Sequence, residues 1–217
     1  MSRLAEAKVA LIGGTGALGF GLAVRLAKAY AVTIGSRTLP RAAEAAVKAT
    51  DLARMRVEAR TSAEAAAWCD IAILAVPDLP SPDFLGSLAP SLKGKLVISP
   101  IVPMVMKDGF FAISLPGESA AERVANALPG ARVAGAFHTV PAAKLVKLDQ
   151  ELAYDVLVTA DSERVFAEVA RVVSSVGKLR PLYAGPLVAT RLVEAITPAL
   201  INVSRLNKIG SPSIKLV

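Results

Sequence analysis

The tightest constraint in this chain is the stretch Ala7-Lys8-Val9-Ala10-Leu11-Ile12-Gly13-Gly14-Thr15-Gly16-Ala17-Leu18-Gly19: a short apolar run, a glycine-rich turn, then helix-forming residues. Gly14, Gly16 and Gly19 fit the spacing G-x-G-x-x-G. In that pattern the first glycine makes a tight turn, the second lets backbone approach a pyrophosphate, and the third lets helix and strand pack closely. The helix that follows points free N–H groups and a positive dipole end at the turn, so an anion there meets donors without a basic side chain. Glycine-rich turns also occur for purely conformational reasons. Here the context favours the binding reading, because Leu18, Leu22 and Leu26 recur on one helical face directly after the turn.

A second constraint lies at the end of the next strand, Ala31-Val32-Thr33-Ile34-Gly35, where the chain continues Ser36-Arg37. Proteins that bind NAD usually carry an acid there for the ribose 2′-hydroxyl. A hydroxyl and a guanidinium would instead hold a 2′-phosphate through charge-assisted hydrogen bonds, so NADP is expected over NAD. Arg41 adds a second guanidinium if Pro40 opens a helix; otherwise it is a solvated surface arginine.

Strands and helices then alternate. Helices are expected over Leu39–Arg54, from Thr61-Ser62, over Pro80–Leu92 and over Glu118–Leu128, the last capped by Ser114 or entered from the Pro116-Gly117 turn. Strands are expected at Arg56–Ala59, Asp70–Val76, Gly94–Pro100 and Arg132–Phe137. This is the pattern of an α/β protein of Rossmann type, with a doubly wound, mostly parallel sheet. Ligands of such sheets gather outside the carboxyl ends of the strands. Val76-Pro77-Asp78 and the segment His138-Thr139-Val140-Pro141-Ala142-Ala143 are therefore expected on the ligand side. Beyond Leu148 come a strand at Asp155–Thr159, a helix at Ser162–Ser175, an edge strand at Leu179–Tyr183 and a helix over Leu187–Leu206. The expected division is a nucleotide-binding domain, 1–148, and a small α/β C-terminal domain, 149–217. In the last helix Leu192, Ile196, Leu200 and Val203 share a face, and Pro198 should kink or restart it.

Composition narrows the partners. One cysteine, Cys69, excludes an internal disulfide, and with His138 as the single histidine a Cys/His metal site has too few ligands; no metal is expected. The net charge is +7, but its basic residues are scattered and only Arg54, Arg56 and Arg60 approach a cluster, which argues against nucleic acid. No run reaches the roughly 18 uninterrupted apolar residues of a membrane span. The first strand begins almost at the N-terminus, so a cytoplasmic protein is expected. The apolar C-terminal helix makes a homodimer the expected assembly.

With Gly13–Gly19, Gly35-Ser36-Arg37, Val97-Ile98-Ser99-Pro100-Ile101-Val102-Pro103, His138–Ala143, Ala184-Gly185-Pro186-Leu187 and Arg191–Pro198 in this order, the chain resembles the coenzyme F420-dependent NADP oxidoreductases of archaea over essentially its whole length. The resemblance implies hydride transfer between a reduced 8-hydroxy-5-deazaflavin, coenzyme F420, and NADP⁺, in either direction. It implies that Thr15, Gly16, Ala17 and Leu18 lie against the pyrophosphate and that Ser36 and Arg37 hold the 2′-phosphate, with Arg41 where a lysine often stands. Backbone near Val76, Val102 and Ala142 would touch the nicotinamide half. The deazaflavin would stack near Thr139 to Ala143 under a C-terminal tail in which Pro212 replaces a larger apolar residue.

The residues agree with this on one absence. A dehydrogenase of alcohols or ketones needs an acid or base at the substrate oxygen, whereas hydride passed between two cofactor rings needs only a dry site that holds them at about 3–3.5 Å. His138 is therefore expected to line the site or serve the structure, and no catalytic side chain is expected. The competing readings are an NADPH-dependent reductase of a small imine or carbonyl compound and a non-enzymatic NADP redox sensor.

Overall fold

The computed structural model describes residues 7–115 and 117–217. Its frame is an eight-stranded sheet. The strands are β1 (Lys8–Ile12), β2 (Ala31–Ser36), β3 (Val57–Thr61), β4 (Ile71–Leu74), β5 (Leu96–Ser99), β8 (Arg132–Gly135), β9 (Asp155–Ala160) and β10 (Arg180–Tyr183), and β6 (Met104–Lys107) with β7 (Phe110–Ile113) forms a separate hairpin. The order across the sheet is β3-β2-β1-β4-β5-β8-β9-β10, parallel except where β9 runs antiparallel to β8.

Both faces are covered, and the strand sequences show why. In β1, Val9 and Leu11 enter one core while Ala10 and Ile12 enter the other, all fully buried. The first face carries α1 (Ala17–Leu26), α2 (Leu39–Ala53) and α7 (Glu163–Ser174). The second carries α3 (Ser62–Trp68), α4 (Pro82–Leu92) and α5 (Ala120–Ala127). The chain winds outward from β1 to β3, then returns to β4 on the other side of β1. The switch point between β1 and β4 is where such sheets open a crevice. The doubly wound, mostly parallel α/β architecture read from the sequence is the one observed.

Residues after 148 add β9, α7 and β10 to this same sheet, through the pairs Ala134–Ala160 and Gly135–Thr159. Pro181 sits on β10, the edge strand, as expected of a residue that cannot donate to both neighbours.

Several local expectations are corrected. The β6–β7 hairpin and the short α6 (Ala142–Leu145) have no counterpart in the sequence reading, because four-residue elements carry too little periodicity. Helix α5 is capped by Ser119 in a reciprocal box with Glu122, and not by Ser114; Pro116 lies outside the described residues. Helix α8 (Thr190–Asn207) runs unbroken through Pro198, with Val193, Glu194 and Pro198 buried against the body. That packing holds the helix across the missing N–H bond.

Its buried face is also not the apolar stripe. Thr190 Oγ1 bonds Thr159 Oγ1 at 2.6 Å and Glu194 accepts the N–H groups of Ala120 and Ala121 at 3.1 and 3.3 Å, while Leu192, Val203 and Leu206 remain exposed. Polar contacts dock the helix and leave the stripe outward. Among the described residues, the stretch Leu187–Asn207 alone has the length and mean hydropathy (1.3) of a membrane span. Cys69 is buried and unpaired, and burial pushes its thiol up to about 11, so it serves the core.

Candidate active site

A cleft of about 1180 Å³ opens at the switch point. Its middle is built by glycines that cannot be replaced. Gly13 has φ +79°, and a Cβ there would lie 2.6 Å from Val76 Cγ1 and 2.9 Å from the Ala75 carbonyl oxygen. A Cβ on Gly19 would lie 2.6 Å from Gly14 Cα, and one on Gly14 2.7 Å from the Leu11 carbonyl oxygen. Gly14 and Gly19 therefore pack helix on strand and do not line the cleft. Gly16 does: a Cβ on it would meet nothing nearer than the Gly13 oxygen at 3.8 Å, so the missing side chain leaves space on the cleft side. Gly16 is also the cap of α1 and offers no side-chain bond, and the first turn holds no acid. Thr15, Gly16, Ala17 and Leu18 all line the cleft beside this uncapped N-terminus.

At one end stand Ser36, Arg37 and Arg41. Pro40 does lie in the first turn of α2, which brings Arg41 round to the cleft. Sequence reasoning missed Glu44, Lys48 and Ser62 here. The signal was available in part, since Arg41, Glu44 and Lys48 share a helical face; Lys48 Nζ bonds Glu44 Oε1 at 2.6 Å. Two of the arginines that approached a cluster are spent locally: Arg56 pairs with Glu58 at 3.2 Å, while Arg60 pairs with Glu58 and stacks 4.3 Å from the centre of the Trp68 ring.

The other end gathers segments from across the chain. Ala75, Val76, Pro77 and Asp78 follow β4; Pro100, Val102 and Met104 follow β5; His138 and Ala142 follow β8; Phe20 comes from α1 and Thr197 from α8. Phe20, Met104 and Thr197 were not anticipated, for only the tertiary fold brings them there. Thr139, Val140, Pro141, Ala143 and Pro212 lie off the wall. Thr139 and Val140 are buried, Pro141 precedes α6, Ala143 faces solvent, and Pro212 is half-buried in the tail.

His138 is the most informative side chain. It is buried at the cleft wall, and both Nδ1 and Nε2 lack a hydrogen-bond partner. Burial lowers its pKa from 6.5 to about 4, so the ring is neutral at physiological pH. Among the described residues no three His, Cys, Asp or Glu side chains cluster as a metal site.

The family model described as NADP oxidoreductase, coenzyme F420-dependent, matches residues 8–103. The F420-dependent NADP reductase of Methanothermobacter marburgensis is 37% identical, over 96% of this chain and 97% of the relative. That of Methanocaldococcus jannaschii is 37% identical over 91% and 92%. A crystal structure from Arthrobacter sp. FB24, 22% identical, superposes with a TM-score of 0.82 over 97% of this chain and 99% of that one, which establishes the fold.

Proposed function

The chain belongs to the F420-dependent NADP reductases, and from that premise we propose that it transfers a hydride directly between reduced coenzyme F420 and NADP⁺, in both directions, within the cleft at the switch point. The observation that carries this reading is the pairing of two unlike ends in one cleft, an uncapped helix N-terminus with Ser36, Arg37 and Arg41 on one side and a largely apolar wall, on which Asp78 is the acid, on the other.

Thr15 to Leu18 would hold the pyrophosphate through backbone N–H groups, while Ser36, Arg37 and Arg41 would hold the 2′-phosphate. Bound F420 and NADP⁺ supply the hydride donor and acceptor. The protein's work at the far end is positional: Val76, Pro77, Val102 and Ala142 exclude water and allow close approach, and neutral His138 packs the wall without moving a proton in the reaction. With its pKa near 4, His138 is poorly suited to protonate a ketone or imine, which disfavours the carbonyl and imine reductase reading. Residues 149–217 would close the deazaflavin side, with Ala142 on the wall and Thr139 to Ala143 and Pro212 supporting it from behind.

The finer assembly is part of the same proposal. The outward stripe of Leu192, Val203 and Leu206 lies beside the hairpin, whose Val105, Met106 and Phe110 are also exposed. Asn202 bonds both backbone groups of Phe111 at 2.8 Å, fixing hairpin to helix. Such a patch suits a homodimer, and Leu206→Lys should shift sedimentation to the monomer. A cytoplasmic location away from membranes fits the unpaired cysteine and the docked inner face of α8.

The test is anaerobic oxidation of reduced F420 by the purified protein with NADP⁺, with NAD⁺ and with neither. Rapid turnover with NADP⁺ alone is expected. Tight NADPH binding without F420 turnover would remove the second co-substrate from the reading.

A further inference from the structure

The wall segment that carries His138 has an uncommon conformation. Phe137, a buried bulky residue, has φ +68°, in the left-handed region. A turn of this kind persists only where its surroundings over-determine it. Three hydrogen bonds close on it. Val140 N donates to the Phe137 oxygen at 3.2 Å, Thr197 Oγ1 donates to the His138 oxygen at 2.9 Å, and Ser213 Oγ donates to the Thr139 oxygen at 3.0 Å. The first is internal to the turn. The other two reach it from α8 and from the C-terminal tail.

The tail is anchored in its turn. Asp155, buried at the start of β9, takes a two-pronged bond from Arg180, Nε to Oδ1 at 2.7 Å and Nη2 to Oδ2 at 2.8 Å. The Asp155 carboxylate also accepts Leu216 N at 2.6 Å, and Asp155 N donates to the Ile214 oxygen at 2.8 Å. Arg180 Nη2 donates to the Leu216 oxygen at 2.8 Å. Residues 213–216 are thus fastened at one end to an ion pair and at the other to the His138 turn.

We propose that Asp155 and Arg180 are positioning residues of the cleft: the ion pair fixes the tail, and the fixed tail, through Ser213, holds the left-handed turn that presents His138 to the wall. Neither residue touches the cleft, so both act through the tail. The functional half of the inference rests on the reading of that wall as the hydride-transfer end; the structural half does not.

Hydrogen–deuterium exchange on the whole chain, compared for wild type, Ser213→Ala, Asp155→Asn and the double variant, separates the two halves. Amides of 137–140 should exchange about fivefold faster in Ser213→Ala, the worth of one ordinary hydrogen bond, and faster by up to the same factor in Asp155→Asn, with α1 unchanged. The double variant should match Ser213→Ala alone, because both changes cut the same connection. On the same samples kcat should fall by similar factors while the NADPH Kd stays within about twofold. Arg180→Lys, which keeps the charge but loses the two-pronged fork, should lie between wild type and Asp155→Asn. Unchanged exchange at 137–140 with a loosened tail overturns the proposal, as do additive losses in the double variant or a uniform rise in exchange with a lower Tm. A loosened turn with unchanged kcat upholds the anchor and overturns the wall's part in hydride transfer.

Discussion

The two ends of the cleft are built in opposite ways. The phosphate end comes from one continuous stretch, Gly13 to Gly19, plus Ser36, Arg37 and Arg41 at the next strand end. Its geometry follows from local backbone: a left-handed glycine, a close helix–strand contact and an uncapped helix. The ring end draws on Val76, Val102, His138, Ala142 and Thr197, residues with long stretches of chain between them, and its conformation is held by bonds from α8 and the tail. A site end made locally should fail by steric change at one residue. One made globally should fail by loss of distant support.

The largest expected effect is at the local end. Gly19→Val places a branched side chain where a Cβ would already stand 2.6 Å from Gly14 Cα and 2.8 Å from Ala75 Cβ. Backbone cannot yield as a flexible side chain can, so a loss of about 3 kcal/mol or more is expected, read as a lower Tm together with lost NADPH binding. A variant that stays as stable as wild type would show the turn to be softer than its contacts indicate.

This asymmetry explains what the sequence disclosed. The fingerprint, the strand-end Ser36-Arg37 and the alternation of elements are local or periodic, so fold class and phosphate end were legible. Phe20, Met104 and Thr197 carry no motif, and their place depends on how α1, the hairpin and α8 pack. The inward face of α8 was hidden for a related reason. Apolar spacing points to Leu192 and Val203, but Thr190, Glu194 and Thr197 each find a specific polar partner inside, and those partners cannot be inferred from periodicity.

Two buried titrating groups near the ring end supply the next effect. His138 has its pKa lowered from 6.5 to about 4 by burial. The unfolded chain binds its proton first, so this residue's share of stability is present above pH 6.5 and is lost as pH falls toward 4. Glu194 has its pKa raised from 4.5 to about 7 by burial, against the pull of the Ala120 and Ala121 N–H groups. Its share is present below pH 4.5 and is lost as pH rises through 7. Each is worth about 3 kcal/mol and the two run in opposite senses, so they nearly cancel between pH 4.5 and 6.5. Carboxylates held below their ordinary values, such as Asp155 and Glu168, act mainly below that window. Denaturation midpoints should therefore be nearly flat there in wild type, fall toward acid in Glu194→Gln, and fall toward alkali in His138→Gln. Parallel slopes in all three proteins would contradict the assignment.

At the phosphate end, Arg37→Ala should weaken NADPH binding by about 1.5–3 kcal/mol, the range for a hydrogen bond to a charged group. NADH, which lacks the 2′-phosphate, should bind almost unchanged. Equal losses for both nucleotides, measured by titration, would assign Arg37 to the pyrophosphate or to the surface. Arg41→Ala should follow the same pattern with a smaller loss, since its exposed guanidinium stands on α2 and acts through more water.

The smallest effect sharpens the contrast most. Thr197→Val keeps the shape of the side chain and removes the donor to the His138 oxygen, 2.9 Å away, at a site half open to the cleft. Losing one hydrogen bond of ordinary strength costs about 1 kcal/mol, roughly fivefold in a rate or affinity. If the ring end is held from a distance, that loss should fall on kcat with F420 and NADP⁺, because the His138 wall tilts while the phosphate end, built by its own backbone, stays as it was. NADPH affinity should stay within about twofold. A loss of NADPH affinity with kcat intact would mean that the two ends share one support, and the division between a locally built and a globally built end would fall with it.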